Sequence, residues 1–473
     1  MVSTVNALFT QQLTVLNAGL QSFADNITRA GGEAVALSWQ PPAGGDREGG
    51  MVLASLLNHP QIEAANEQAM AQYLAAQPML VDVMRAGEAI PALDKHKRIL
   101  HAGPPIAWND MCGPVQGAIL GAILYEQWAD TLEQAQALIE QGEVSFEPCH
   151  HYDAVAPMAG IISRSMPLWV VENTENSQRV YSNFNEGLGK VLRFGANGDV
   201  VIERLHWMGT ELAEAMKAML AESGPIELKP IMAQALHMGD EVHNRNIAAT
   251  GLLLKQLLPA LLSTALPIEQ IQRAIRFITA NDHFFLNLSM AACKSMLKAA
   301  EGVPGSTMVT VMARNGVNFG IRLSSTGDTW FQAPANPVDG LFFPGYGVDD
   351  AAADLGDSAI TETAGVGGFA MASSPAIVKF VGGTPADATQ NSRSMQHVTL
   401  GSNPAFTLPA LNFAPTAAGI DARKVLDSSV LPIINTGIAH KEAGVGQIGA
   451  GITTAPMSCF VDALNALARQ ISR

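Results

Sequence analysis

Leu13-Thr-Val-Leu-Asn-Ala-Gly19, the stretch Leu20 to Ala30, Gly31-Gly32 and Glu33-Ala-Val-Ala-Leu-Ser-Trp39 read in order as strand, helix, stop and strand. The outer segments are apolar and short, the middle one has helical spacing, and a glycine pair ends a helix because it tolerates a left-handed backbone. A strand-helix-strand unit belongs to a parallel α/β sheet. Ligands of such sheets sit beyond the carboxyl end of the strand, near the helix N-terminus. Gly19 is the only glycine in that turn, so the dinucleotide fingerprint is missing.

Working outward, Pro41-Pro-Ala-Gly-Gly-Asp46 is a loop, Gln61 to Ala75 is helical and Met79 to Met84 is a strand. This predicts a Rossmann-like N-terminal domain over 1–98. Residues 99–206 form an α/β lobe, with helices at Gly117 to Ala129 and Leu132 to Ile139 and strands at Trp169 to Glu172 and Val180 to Ser182. A helical subdomain over 207–302 carries the amphipathic runs Leu212 to Leu220, Ile231 to Leu236, Ile247 to Leu262 and Ile268 to Thr279. Beyond it, 303–473 is a C-terminal α/β lobe with strands at Met308 to Met312, Asn318 to Leu323 and Val430 to Ile434, closed by a helix from Cys459 to Gln470. The expected fold class is therefore α/β (α+β) and multidomain, in keeping with about 150 residues per domain.

Apolar residues make up 48% of the 473 and DEKR 15%, which suits a globular core and excludes disorder. A net charge of −15 without a basic cluster opposes nucleic acid. Cys112, Cys149, Cys293 and Cys459 are widely spaced and read as free thiols of a reducing cytoplasm. The N-terminus lacks the pattern of a secretion signal, and no apolar run reaches the ~18 residues of a membrane span.

Five polar segments could carry chemistry. Gly356-Asp-Ser-Ala-Ile-Thr-Glu-Thr-Ala-Gly-Val-Gly-Gly-Phe-Ala-Met371 places Asp357, Thr361, Glu362 and Thr363 before Gly367 and Gly368 in apolar sequence. Buried carboxylates must be paired or hydrogen-bonded, so the segment is either a satisfied turn or a ligand cradle. Glu147-Pro-Cys-His150-His151, if extended, sets Glu147, Cys149 and His151 on one face; hydrogen-bonded histidines at a domain junction are the plainer alternative. His237-Met-Gly-Asp240-Glu241-Val-His243-Asn-Arg245-Asn246 is the densest cluster. A helix ending near Gly239, with Asp240 or Asn246 capping the next, uses two of these residues and leaves the histidines, Glu241 and Arg245 for a site. Arg314-Asn315-Gly316 supplies either an anion-binding guanidinium or an ordinary hairpin turn. Finally, His440-Lys441-Glu442 precedes a GxGxxG string from Gly444 to Gly449 with no helix behind it, which leaves an anion loop or a close crossing of backbones. GxSxG, P-loop and HExxH motifs are absent.

Leu100-His-Ala-Gly-Pro-Pro105, Glu147-Pro-Cys-His-His151, Ala235-Leu-His-Met-Gly-Asp-Glu241, His243-Asn-Arg-Asn246, Met312-Ala-Arg-Asn-Gly316, Gly356 to Thr363 and Ile438-Ala-His-Lys-Glu442 together closely resemble the bacterial YlbE/YahG family, from about Leu13 to the C-terminus. The resemblance implies a subunit of an oxamate carbamoyltransferase complex, working beside FdrA-like and other subunits on carbamoyl phosphate or a related small anion. The alternative is a non-catalytic scaffold for the FdrA-like partner. The N-terminal strand-helix-strand unit matches the YahG-like branch.

Carbamoyl transfer needs cations on phosphate, donors on the carbamoyl oxygen and a proton acceptor, and requires no cofactor or metal. Read so, His243 or His440 moves the proton, Asp357 and Glu362 orient, and Arg314 and Lys441 hold the anion. His150, His151, Asp240, Glu241, Arg245, Asn246, Asn315, Thr361, Thr363, Gly367, Gly368 and Glu442 complete the substrate-binding set. A cytoplasmic oligomer is expected.

Overall fold

The computed structural model describes residues 14–18, 20–37 and 41–471, so Leu13, Gly19 and Trp39 of the opening stretch lie outside the described residues. Thr14–Ala18 and Glu33–Leu37 pair in parallel, with Thr14 opposite Glu33 and Ala18 opposite Leu37. The helix Gln21–Arg29 joins them and ends at Ala30, followed by Gly31 at φ +84°. These two strands make a sheet of their own.

A wider Rossmann-like sheet does not follow. The next strand, Pro78–Arg85, lies in a five-stranded sheet with Pro167–Asn173, Gln178–Asn183, Ala154–Val155 and Ile226–Glu227, mostly antiparallel. The helices between, Arg47–Leu56 and Pro60–Ala75, bury Val52, Leu53, Leu56 and Ile62 in one core with Val309, Phe319 and Phe460. Apolar faces go where complementary faces are, irrespective of distance along the chain. The expected boundaries near 98 and 206 are thus both crossed by hydrogen-bonded strands.

The helix Leu286–Ala299 packs against this sheet and has twelve buried residues of fourteen, the pattern of a central core helix. Its buried Lys294 is held by Glu301 at 2.9 Å. Around it stand Ala213–Ser223, Leu228–His237, Ile247–Ser263 and Ile268–Thr279, the expected helical runs. A small sheet of Ser145–Pro148, Arg98–His101 and Ile161–Ile162 carries the helices Gly113–Tyr125 and Leu132–Glu140.

The C-terminal region is α+β, built from small sheets joined by antiparallel pairing. Val309–Asn315 and Asn318–Leu323 form a hairpin flanked by Phe331–Pro334 and Leu355–Gly356. Ile433–Ala439 pairs with Gln447–Thr454, which pairs with Asp339–Phe342. Met457–Ile471 closes the fold. The strand expected from Val430 starts after Pro432, which has no N–H to give a ladder. Among the described residues no helix is long and apolar enough to cross a membrane.

Candidate functional site

The segment 356–371 resolves into two carboxylates with different surroundings. Asp357 is fully buried and satisfied: its oxygens accept from the backbone N–H groups of Gly103 at 2.8 Å and Ala156 at 3.0 Å. His150 Nε2 stands 3.4 Å away, and burial holds this imidazole below its usual pKa despite the facing carboxylate. Glu362 sits in the single turn Ile360–Thr363, and its Oε1 accepts from Gly368 N–H at 2.8 Å and from His243 Nδ1 at 2.7 Å. Thr361 Oγ1 lies 3.0 Å from its other oxygen, while the Thr363 hydroxyl donates to the Ala359 carbonyl. Gly368 is required, since a Cβ there would stand 2.6 Å from the Ile433 carbonyl oxygen.

His243 reaches Glu362 from a buried polar loop. Leu228–His237 ends, Gly239 turns at φ +100°, and the Asp240 carboxylate accepts from Ala249 N–H at 2.9 Å, capping Ile247–Ser263. Glu241 Oε1 accepts from the backbone N–H groups of His243 and Arg245, its carbonyl from Gly367 N–H. The Asn246 amide donates to the His243 carbonyl at 2.6 Å. Between these anchors Val242 holds φ +58°, a costly geometry for a β-branched residue, and of a kind found at functional loops. Because Nδ1 faces the carboxylate, a neutral His243 is protonated there and carries its lone pair on Nε2, to which no described residue is bonded.

His243 lines a cavity of about 20 Å³ with Arg193, Asn244, His283, Ser358, Gly437 and Gln447 among its walls. At Asn244, His283 and Gln447 it adjoins a pocket of about 170 Å³ bordered by Arg245, Asn246 and the exposed Leu188, Ile247, Phe343 and Phe380. Loss of hydration, with Arg193 and His243 adding to it, pushes His283 down to about 3, so its ring is neutral at ordinary pH. A larger groove of about 650 Å³ runs past Met70, Leu400 and Lys424, but its cations are committed: Arg423 to Asp421 and Glu63, Lys424 to the Thr399 carbonyl.

Other expected site residues serve elsewhere. Arg314 is fully buried and bound by Asp354 through two contacts, Nε–Oδ2 at 2.5 Å and Nη2–Oδ1 at 2.9 Å, with Gly356 and Thr436 taking further bonds. A guanidinium so saturated has nothing left for phosphate. Asn315 closes the hairpin, its Oδ1 accepting from Val317 and Asn318. Lys441 is exposed and donates to the Asp349 carbonyl, and His440 Nδ1 accepts from Glu442 N–H; none of the three borders the His243 cavity. The glycine run behind them is a close crossing, since a Cβ on Gly449 or Gly451 would collide with the carbonyls of Leu341 and Asp339. Cys149–Tyr152 is a helical turn, so Cys149 and His151 do not share an extended face; His151 lies 3.3 Å from Glu147 and receives the Trp330 N–H. No group of three or more His, Cys, Asp or Glu among the described residues could hold a metal ion.

Arg193, His283 and Gln447 were not legible as site residues. The available signal was weak: Glu186-Gly-Leu-Gly-Lys190 before Arg193, and a histidine breaking two helical runs at Asn281-Asp-His283.

The chain is 44% identical over 465 residues to YahG of Escherichia coli (strain K12), covering 97% of this chain and 98% of that protein. The chain belongs to the YahG/AllG family. The oxamate carbamoyltransferase subunit AllG of the same organism is 46% identical over 413 residues, 87% of this chain and 98% of AllG. The family model for that subunit matches residues 144–358, which contain Arg193, His243, His283 and Ser358. A crystal structure of a conserved protein of unknown function from Enterococcus faecalis V583 superposes with a TM-score of 0.85 at 45% identity, covering 87% of this chain and 98% of that one. Family members thus share the chain well beyond the cavity, including the strands and helices that build it.

Proposed function

We propose that this chain is a carbamoyltransferase subunit whose cavity at His243 carries the proton transfer between carbamoyl phosphate and oxamate or a related small amide. The observation that carries the reading is the buried Glu362–His243 pair, which leaves Nε2 as the base facing a small polar cavity. In this scheme the amide nitrogen attacks the carbamoyl carbon, its proton passes to Nε2, the bond from that carbon to the phosphate oxygen breaks and phosphate leaves with the electron pair. Glu362 stabilises the imidazolium that forms, and Ser358 and Gln447 border the space for the carbamoyl group. The similarity to a protein described as a subunit supports assembly with further subunits, for which an FdrA-like protein is the candidate.

The test is reconstitution with the neighbouring subunits and an assay for carbamoyl phosphate formed from oxalurate and phosphate. His243→Asn is expected to lower turnover about 10²- to 10⁴-fold, the span of general acid–base contributions. Glu362→Gln should lower it less and shift its pH profile. Wild-type turnover in His243→Asn sinks the reading and favours a scaffold role.

A further inference from the structure

Arg193 is 4% exposed, and its burial is incompletely compensated. Its Nε–H donates to the Gly187 carbonyl at 2.8 Å, and its guanidinium carbon lies 5.2 Å from the centre of the Phe194 ring. No described residue accepts from its terminal nitrogens. The neighbouring carboxylate, Glu186, is occupied by backbone: its oxygens accept from Leu192 N–H at 2.8 Å and Arg193 N–H at 3.2 Å. Burial outweighs the attraction of Glu186 and brings the guanidinium down to about 10, so it remains charged at neutral pH. Glu186 attracts the guanidinium at a distance but takes no hydrogen bond from its terminal nitrogens, and a buried charge so incompletely paired is costly unless something else supplies acceptors.

A second donor in the same cavity is also unmatched. Asn244 Nδ2 is buried with no hydrogen-bond partner, and the residue borders the cavity beside Arg193 and His243. Gln447 spends its own amide N–H on the Gly449 carbonyl. Arg193 and Asn244 thus present donors that no described group matches. In a chain of net charge −15 the long-range field repels anions, so an anion site needs a local cation of this kind.

We infer that Arg193 and Asn244 form a subsite for one small oxyanion, a carboxylate or a phosphate, whose oxygens supply the acceptors these donors lack. The cavity of about 20 Å³ has room for little more than an oxygen group at these donors, and the rest of the ligand lies in the pocket of about 170 Å³ that it adjoins at Asn244, His283 and Gln447. Guanidinium geometry favours a planar or tetrahedral oxyanion bound through two oxygens. Which oxyanion arrives in turnover rests on the carbamoyl-transfer reading; binding itself can be measured without turnover.

The full-length protein is titrated calorimetrically with inorganic phosphate and, separately, with oxamate, and oxamate again in saturating phosphate. Saturable binding at one site per chain is expected. Arg193→Gln should weaken it about 10- to 100-fold, the equivalent of one charged hydrogen-bonding partner. Asn244→Asp, which sets a negative charge beside the ligand, should weaken it at least as far. Competition between the two anions assigns one shared subsite; binding of one alone, lost in Arg193→Gln, assigns the subsite to that anion. Binding unchanged in both variants, or saturable binding of neither anion to the wild type, overturns the inference. If Arg193→Gln fails to fold, Asn244→Asp decides alone. Arg193-dependent binding combined with normal turnover of His243→Asn keeps the subsite and removes the catalytic reading.

Discussion

Glu241 is a fully buried carboxylate whose Oε2 has no partner, although Oε1 accepts two backbone N–H groups. Burial dominates and raises it from 4.5 to about 7, partly offset by the Arg245 N–H and His243. The sign follows from proton counting: between pH 4.5 and 7 the folded chain keeps a proton that the unfolded chain has lost, so stability falls as pH rises through this window. The neutral carboxyl's advantage is complete below pH 4.5 and gone above about 7. Glu241→Gln has no such group, so wild-type stability relative to this variant should drop by on the order of 3 kcal/mol across the window and then level off. Urea unfolding at a series of pH values reads this directly; parallel curves for the two proteins would refute it. At this scale the sequence showed which residues were chemically unusual. It could not separate Arg314, spent on Asp354, from Arg193, whose terminal nitrogens are left over, because both are single arginines in apolar surroundings.

Backbone approach between elements decides what the glycines do. The strand Gln447–Thr454 lies so close to Asp339–Phe342 that a Cβ on Gly449 would strike the Leu341 carbonyl. Gly449→Ala should therefore cost about 1–3 kcal/mol, as overpacking does. Gly251, exposed in the interior of Ile247–Ser263, has open space where its Cβ would be, and Gly251→Ala should stabilise by about 0.5–1 kcal/mol through helix propensity. Thermal melts of the two variants should shift in opposite directions. Both glycines look alike in sequence. Element positions were more legible: Asn318–Leu323 and Ile268–Thr279 fall where their apolar spacing places them, because that spacing reports local burial whatever the partner. The turn at Cys149–Tyr152 was not, since alternating polar residues fit a strand or a short helix equally.

Across the molecule, the N-terminal strand-helix-strand unit is set apart. Among the described residues its strands pair only with each other, and Val15, Leu16, Leu20, Phe23 and Val35 remain exposed. A chain starting at residue 41 should keep a cooperative unfolding transition close to that of the full chain. A chain starting at residue 99 should not, since it loses Pro78–Arg85 from inside the five-stranded sheet and Leu53, Leu56 and Ile62 from the core around Phe460. Circular dichroism melts of the two truncations test this, and a stable fold from residue 99 would contradict it. By itself, the sequence determined the kinds of element, the polar segments and the kinship, because spacing and residue type act locally. Tertiary structure alone decided which core each helix joins and which imidazole, carboxylate and guanidinium meet at one cavity, since those outcomes depend on faces brought together from residues far apart in the chain.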